Sequence, residues 1–158
     1  MSGGTQPKKP GTSSLAVTVR PAVSSDHARI ADLARQLSYP STLEEIATRL
    51  AGMSGSADHA VFVAERETGE IGGWIAVFVC RMVEADARVE ISGLVVDERF
   101  RSQGIGERLL ARAEQWAGER PCKTIGLRSN LIRDRAHAFY ERNGYAHLKT
   151  QKAFRKSL

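Results

Sequence analysis

Apolar and polar residues alternate over Leu15–Pro21 (LAVTVRP), and the closing proline ends what reads as a first strand. The period then changes. Ile30, Leu33, Ala34 and Leu37 recur at helical spacing behind Ser24 and Ser25, either of which suits a helix cap. Tyr39-Pro40 breaks that helix, and Ser41 with Glu44 three residues on is a capping-box pattern. It opens a second helix with Leu43, Ile46, Ala47 and Leu50 inward, ended by Gly52 to Ser56. Ala60–Glu65 and Ile71–Cys80 read as antiparallel strands joined across Glu67-Thr68-Gly69, and Arg88–Val96 as a further strand after the acidic turn Glu84–Asp86. Beyond a loop rich in Arg and Gly, Ile105, Leu109, Leu110, Ala113 and Trp116 form one stripe of a helix reaching about Ala117. Thr124–Arg128 is expected as a short buried strand, Arg133–Arg142 as a helix stopped by Asn143-Gly144, and Tyr145–Lys156 as one or two closing strands. The order β-α-α-β-β-β-α-β-α-β predicts a three-layer α-β-α domain whose mixed sheet is mostly antiparallel with at least one parallel pair.

Composition narrows the class. A chain of 158 residues suits a single domain with a core, expected over residues 15–158. The preceding MSGGTQPKKPGTSS, residues 1–14, has too little apolar surface to offset the entropy of ordering and reads as a disordered tail. With 42% hydrophobic and 26% charged residues, no apolar run of membrane-spanning length and no apolar centre of a secretory signal, the chain is expected to be soluble, cytoplasmic and independent of membranes. Cys80 and Cys122 have no close pairing and read as two buried or half-buried thiols in a reducing compartment. No His/Cys/Asp cluster argues for a metal. The net charge of +5, part of it from Lys8 and Lys9 and from Lys149, Lys152, Arg155 and Lys156, favours an anionic cofactor or partner. It is too small to argue for nucleic acid.

The most informative stretch is VEISGLVVDERFRSQGIG, residues 89–106, which runs strand, polar loop, paired glycines, helix. A helix start carries unpaired N–H groups and the positive end of the macrodipole, which together suit a diphosphate. Gly104 and Gly106 lack a Cβ, so the backbone can close on such an anion, and Arg99 and Arg101 add positive charge beside it. The dinucleotide fingerprint needs a third glycine where Leu109 stands, and the P-loop needs a G-K-[ST] that is absent.

What fits is Arg101-Ser-Gln-Gly104-Ile-Gly106, which resembles the R/Q-x-x-G-x-G/A signature of the GNAT acetyltransferase superfamily. Leu94-Val95-Val96-Asp97 precedes it at the family's spacing, and Ser129-Asn130 followed by Ala136-His137-Ala138-Phe139-Tyr140, with Gly144-Tyr145, is similar to the family's second cofactor motif. The resemblance spans about residues 15–156 and implies an N-acetyltransferase that moves acetyl from acetyl-CoA, a cosubstrate, to a primary amine in a ternary complex. It implies that two parallel strands splay apart to admit the pantetheine arm, which pairs with the backbone of Leu94, Val95 and Val96. Gly93 suits a bulge there. An N–H near Leu94 or Val95 would meet the thioester oxygen, and the amides of Ser102, Gln103, Gly104, Ile105, Gly106 and Glu107 would hold the pyrophosphate beside Arg101. Asn130 is expected on the pantetheine arm, and Arg133 and Arg135 either on a CoA phosphate or in solvent.

Tyr140 is the expected general acid, because a phenol near pKa 10 can hydrogen-bond and protonate a thiolate whose conjugate acid lies near 8.5. An alkylammonium with pKa about 10.4 is neutral at pH 7 in only about one molecule in two thousand, so its deprotonation costs on the order of 4–5 kcal/mol without help. Glu90, eleven positions before Arg101, where a subset of the family carries a catalytic glutamate, is the candidate base, with a water chain as the alternative. His137 is expected to pack or cap on its helix, and His27, His59 and His147 to lie at the surface. The acceptor side falls to Leu37–Leu50, the hairpin near Arg81–Arg88 and the C-terminal loop, where Glu44, Glu45, Glu84 and Asp86 either attract a cation or are simply solvated. The layout resembles small standalone bacterial acetyltransferases, some acting on aminoglycosides or other polyamines, and a protein amine remains open as acceptor. Dimers are common in the family, which suggests a homodimer. Two other classes compete: a CoA-binding sensor or scaffold without catalysis, and a nucleic-acid module, for which no recognition helix or aromatic platform is present.

Overall fold

The computed structural model describes residues 16–158, so the N-terminal tail expected over residues 1–14 lies outside the described residues. Its elements run β1 (Val17–Pro21), α1 (His27–Gln36), α2 (Leu43–Met53), β2 (His59–Arg66), β3 (Ile71–Cys80), β4 (Arg88–Val96), α3 (Ile105–Gly118), β5 (Ile125–Leu127) and α4 (Asp134–Arg142), with single 3-10 turns at Ser24–Asp26 and Glu98–Phe100. The sheet order is β1-β2-β3-β4-β5; the first three pairings are antiparallel and β4 with β5 is parallel. This is the mixed α/β sheet that the element order predicts.

Each face of the sheet buries its own core. On one, Phe62, Ile75, Val77, Val89 and Ile91 meet the α3 stripe of Ile105, Leu109, Leu110, Ala113 and Trp116. On the other, Val63, Ile71 and Val95 meet Ile30, Leu33 and Ile46 of α1 and α2. Val89 and Val95 share odd numbering yet face opposite layers, because β4 carries a bulge. Val77 pairs with Ile91 and Ala76 with Gly93, leaving Ser92 as the extra residue. That single insertion reverses the parity of everything after it.

Several local signals act one position away from where the sequence places them. The α2 cap is Thr42, whose hydroxyl accepts from the Glu45 amide while the Glu45 carboxylate accepts from the Thr42 amide. Ser-x-x-Glu and Thr-x-x-Glu overlap here, and Ser41 is instead buried, accepting from Arg49 at 2.7 Å. At the start of α1 neither Ser24 nor Ser25 caps; the buried Asp26 carboxylate accepts the Val23 amide and pairs with Arg20. The closing strands expected over Tyr145–Lys156 are absent, and the chain from Ala146 onward is exposed coil. Its two large apolar side chains before the final residue, Leu148 and Phe154, remain 88% and 91% exposed, so this segment adds nothing to either core.

Candidate functional site

The parallel pair β4–β5 is short. It holds only from Val89/Ile125 to Ile91/Leu127, where β5 ends while β4 runs on to Val96. Parity then decides which backbone groups face the gap. The Val89 amide donates to Thr124, on the β5 side, whereas the Asp97 amide donates to Gly72, on the β3 side. Between them the bulge at Ser92 flips the alternation, so the N–H and C=O groups of Leu94 and Val96 point into the opening and those of Val95 toward β3.

The opening leads into a cavity of about 460 Å³ bounded by Leu94, Val95 and Val96 of β4, the start of α3, and α4 with the loop before it. The start of α3 is built from two left-handed residues, Ser102 at φ 61° and Gly104 at φ 81°. Gly104 is the N-cap of α3, and no side chain caps this terminus. The first intrahelical bond runs from Arg108 to Gly104, so the amides of Ile105, Gly106 and Glu107 have no helical acceptor. Contrast α2, whose first turn is closed by its own capping box. The α3 terminus is open toward the cavity, with the positive end of a 14-residue helix behind it.

The two glycines of the loop serve different ends. A Cβ at Gly104 would meet nothing within 4 Å, so its role is the left-handed turn and the free space above it. A Cβ at Gly106 would lie 3.1 Å from the Phe139 ring, so this glycine admits α4 against α3.

Of the residues expected to contact cofactor, Leu94, Val95, Val96, Arg101, Ser102, Ile105, Gly106, Glu107 and Arg135 line the cavity, as does Tyr140. Gln103, Gly104 and Asn130 do not line it, and Gly104 acts through backbone shape. Asn130 is exposed, and its carbonyl is 3.1 Å from His137 Nε2, so His137 ties its helix back to the preceding loop as its sequence position suggests. Arg135 reaches Ser102 Oγ at 3.4 Å across the cavity mouth, and Arg101 donates to the Val96 carbonyl at 3.4 Å. Arg99, expected to add positive charge beside the α3 start, pairs instead with Asp97 at 2.7 Å and Glu70 at 2.6 Å. Asp97 is 1% exposed at the end of β4, also takes Arg29 of α1, and so locks the strand end from which the loop springs. The two arginines hold its carboxyl well below the usual carboxylate range, Arg99 contributing most.

Tyr140 stacks edge-on between Phe139 and Tyr145, at ring-centroid distances of 5.2 and 5.6 Å. Burial pushes its phenol up to about 12, partly opposed by the nearby Arg133 guanidinium. Glu90 is not in the cavity wall. It is 7% exposed on the α1/α2 side of β4, the face that also bears Val95 after the bulge. Arg88 donates to its Oε1 at 2.6 and 3.0 Å, and Arg128 stands 3.6 Å from the same oxygen.

Arg133, which sequence alone leaves undecided, and Leu37, expected only as the start of the acceptor-side segment, also line the cavity, with Gln36 and Ile132, which the sequence does not single out. No local pattern marks them, because their role depends on α1 and the loop before α4 meeting in space. Cys80 and Cys122 are free and half-buried, and the described residues contain no group of three or more His, Cys, Asp and Glu able to hold a metal. No helix among them is long and apolar enough to cross a membrane.

Comparison with known proteins agrees with this geometry. Residues 27–145 match the model of the Acetyltransferase (GNAT) family. The chain is 29% identical over 134 residues to the uncharacterized N-acetyltransferase YhfO of Bacillus subtilis (strain 168), covering 82% of this chain and 89% of the relative. It is 38% identical over 88 residues to the aminoalkylphosphonate N-acetyltransferase of Salmonella typhimurium, covering 54% of this chain and 57% of that one. Its fold is shared with aminoglycoside 6'-N-acetyltransferase AAC(6')-Ih of Acinetobacter baumannii, with a TM-score of 0.79 and 18% identity over 90% of this chain and 99% of that one. With a parallel pair that stops short of the end of β4, an uncapped helix start beneath it and a family match across three quarters of its length, the chain belongs to the GNAT acetyltransferase family.

Proposed function

We propose that this protein transfers acetyl from acetyl-CoA to the neutral form of a primary amine, by direct attack within a ternary complex. The observation that carries the proposal is the uncapped start of α3, whose free amides face a cavity that runs along the end of β4, beyond its pairing with β5. The residues present fit coenzyme A: helix amides and Arg101 for linked phosphates, outward backbone groups of Leu94 and Val96 for a pantetheine amide, and Arg135 and Ser102 at the mouth. When bound, acetyl-CoA supplies an activated thioester carbonyl.

This chain's own groups do the rest. The Leu94 amide points into the gap and is placed to donate to a carbonyl oxygen as negative charge develops there. Tyr140 supports catalysis as a hydrogen-bond donor rather than a full proton donor. With its phenol at about 12 and a thiol near 8.5, complete proton transfer to sulfur would be uphill by about 5 kcal/mol, whereas a protonated phenol at neutral pH stabilises a departing thiolate. Glu90 lies three residues from Gly93, roughly 10 Å along the strand, so its proton acceptance runs through water. Its Arg contacts all fall on Oε1, which leaves Oε2 as the accepting atom.

The acceptor is proposed to be a small amine, such as an aminoglycoside, a polyamine or an aminoalkylphosphonate, or else a protein amine. The aminoalkylphosphonate class is suggested by the 38% identical relative, and the exposed Arg128 beside Glu90 is compatible with a second, anionic group on the acceptor. The competing reading, a CoA-binding scaffold without turnover, is favoured by the ion-paired state of Glu90. Calorimetric titration with CoA, followed by thiol release from acetyl-CoA against panels of these amines and peptides, tests both. Binding with turnover is expected. Binding without turnover on any amine selects the scaffold, and absence of CoA binding removes both.

A further inference from the structure

α1 ends in a Schellman arrangement. The Tyr39 amide donates to Ala34 at 3.2 Å and the Ser38 amide to Arg35 at 3.0 Å, with Ser38 in the left-handed region at φ 64°. The motif satisfies the Ala34 and Arg35 carbonyls but not that of the C-cap residue, Leu37, which sits at the negative end of the helix dipole. A donor reaches it from another segment that lines the cavity. Arg133, the residue immediately before α4, donates from Nη2 to the Leu37 carbonyl at 2.6 Å, across 96 positions of sequence. A guanidinium is well matched to that place: it carries the favourable charge for a helix C-terminus and makes a charge-assisted hydrogen bond.

Its position in the fold gives this bond consequences. Gln36 and Leu37 line the cavity from the end of α1, and Ile132 and Arg133 line it from the loop before α4. Leu37 also begins the connection to α2, the segment on the acceptor side of the sheet, in which Tyr39 is 70% exposed. On the other side, Arg133 directly precedes the helix that carries Tyr140, and its charge acts on that phenol.

We infer that Arg133 is a positioning residue that clasps the α1–α2 connection to the start of α4, fixing the acceptor-side lining of the cavity against the helix that bears Tyr140, instead of binding a cofactor phosphate. Arg135, two residues on, turns to Ser102 at the α3 end, so the phosphate end of the cavity has its own arginine. The clasp stands on the structure alone; its effect on turnover rests on the acetyl-transfer reading.

The test uses the full chain with Arg133→Gln and Arg133→Lys, followed by hydrogen exchange of residues 37–41, calorimetric CoA titration, and steady-state rates with the fastest amine of the panel. In Arg133→Gln the Ser38 and Tyr39 amides are expected to exchange at least tenfold faster, with CoA affinity within threefold of wild type. The KM for acetyl-CoA is expected to hold while kcat over the acceptor KM falls about tenfold. Arg133→Lys, which keeps charge and one donor, is expected to restore most of the protection. Unchanged exchange in Arg133→Gln overturns the clasp, and a tenfold loss of CoA affinity with exchange unchanged makes Arg133 a phosphate ligand. If the wild-type chain binds no CoA, the acetyl-transfer reading fails while the exchange data still decide the clasp.

Discussion

The Trp74 indole lies across Gly93: a Cβ on that residue would stand 2.9 Å from two carbons of the ring. Gly93 adjoins the extra residue Ser92, so the bulge that turns Leu94 and Val96 toward the cavity is packed under an aromatic lid on the α1/α2 face. The Trp74 ring nitrogen is buried without a partner among the described residues, so the ring is held by shape and not by hydrogen bonding.

Gly93→Ala should therefore displace Trp74 or flatten the bulge. An overpacking cost of about 1–3 kcal/mol is expected, read as a lowered denaturant midpoint together with a shifted tryptophan emission. A variant as stable as wild type with unchanged emission would show that the ring yields freely.

Gly104 and Gly106 are expected to fail in different ways when each is changed to Ala. At Gly104 the new methyl meets open space, so only the left-handed backbone resists, at about 1–2 kcal/mol, while CoA affinity is expected to fall at least tenfold if the turn relaxes and the free α3 amides lose their aim. At Gly106 the methyl presses on Phe139, and stability should fall together with binding as α4 is pushed off α3. Thermal unfolding and CoA calorimetry on both variants separate the two roles.

Tyr140→Phe removes a hydroxyl that has no hydrogen-bond partner within the described chain, so stability should change by less than about 1 kcal/mol. CoA binding should persist, while kcat falls about a hundredfold if the phenol holds the departing sulfur. With its phenol at about 12, Tyr140 stays protonated through the working range, so a kcat limb near pH 8–9 cannot belong to it. Since the folded value lies above the ordinary 10, burial of the neutral phenol favours the fold below pH 10, and that contribution is lost as pH rises through about 12.

Asp97 has the opposite sign. Its folded value is depressed by Arg99 and Arg29, so its contribution to stability is complete at neutral pH, well above the unfolded value near 3.9, and declines progressively from about pH 5 downward. Asp97→Asn should remove about 2–3 kcal/mol at neutral pH and flatten the acid limb of the stability profile, measured by urea unfolding between pH 3 and 7. An unchanged acid limb would mean that other carboxylates dominate it.

Much of this protein is written in local sequence. The alternation of β1, the stripes of α1 and α3, the turn at Gly69 and the loop from Arg101 to Gly106 all act within a few residues, so period and turn chemistry alone locate them. The same locality explains the one-residue error at α2: Ser41 and Thr42 carry equivalent capping patterns, and only the distant Arg49 bond and burial of Ser41 select between them.

Tertiary structure decided the rest. The withdrawal of Arg99 into a buried ion network, the clearance of Gly106 for Phe139, the arginine pairing of Glu90 and the reach of Arg133 to Leu37 each join residues that no sequence spacing connects. So does the failure of residues 146–158 to become strands, since a strand needs a partner edge and buried surface, and neither is a property of the segment itself. The sequence could place an open helix start behind a glycine turn, because that depends on local backbone. Which charges remain free to meet it depends on packing.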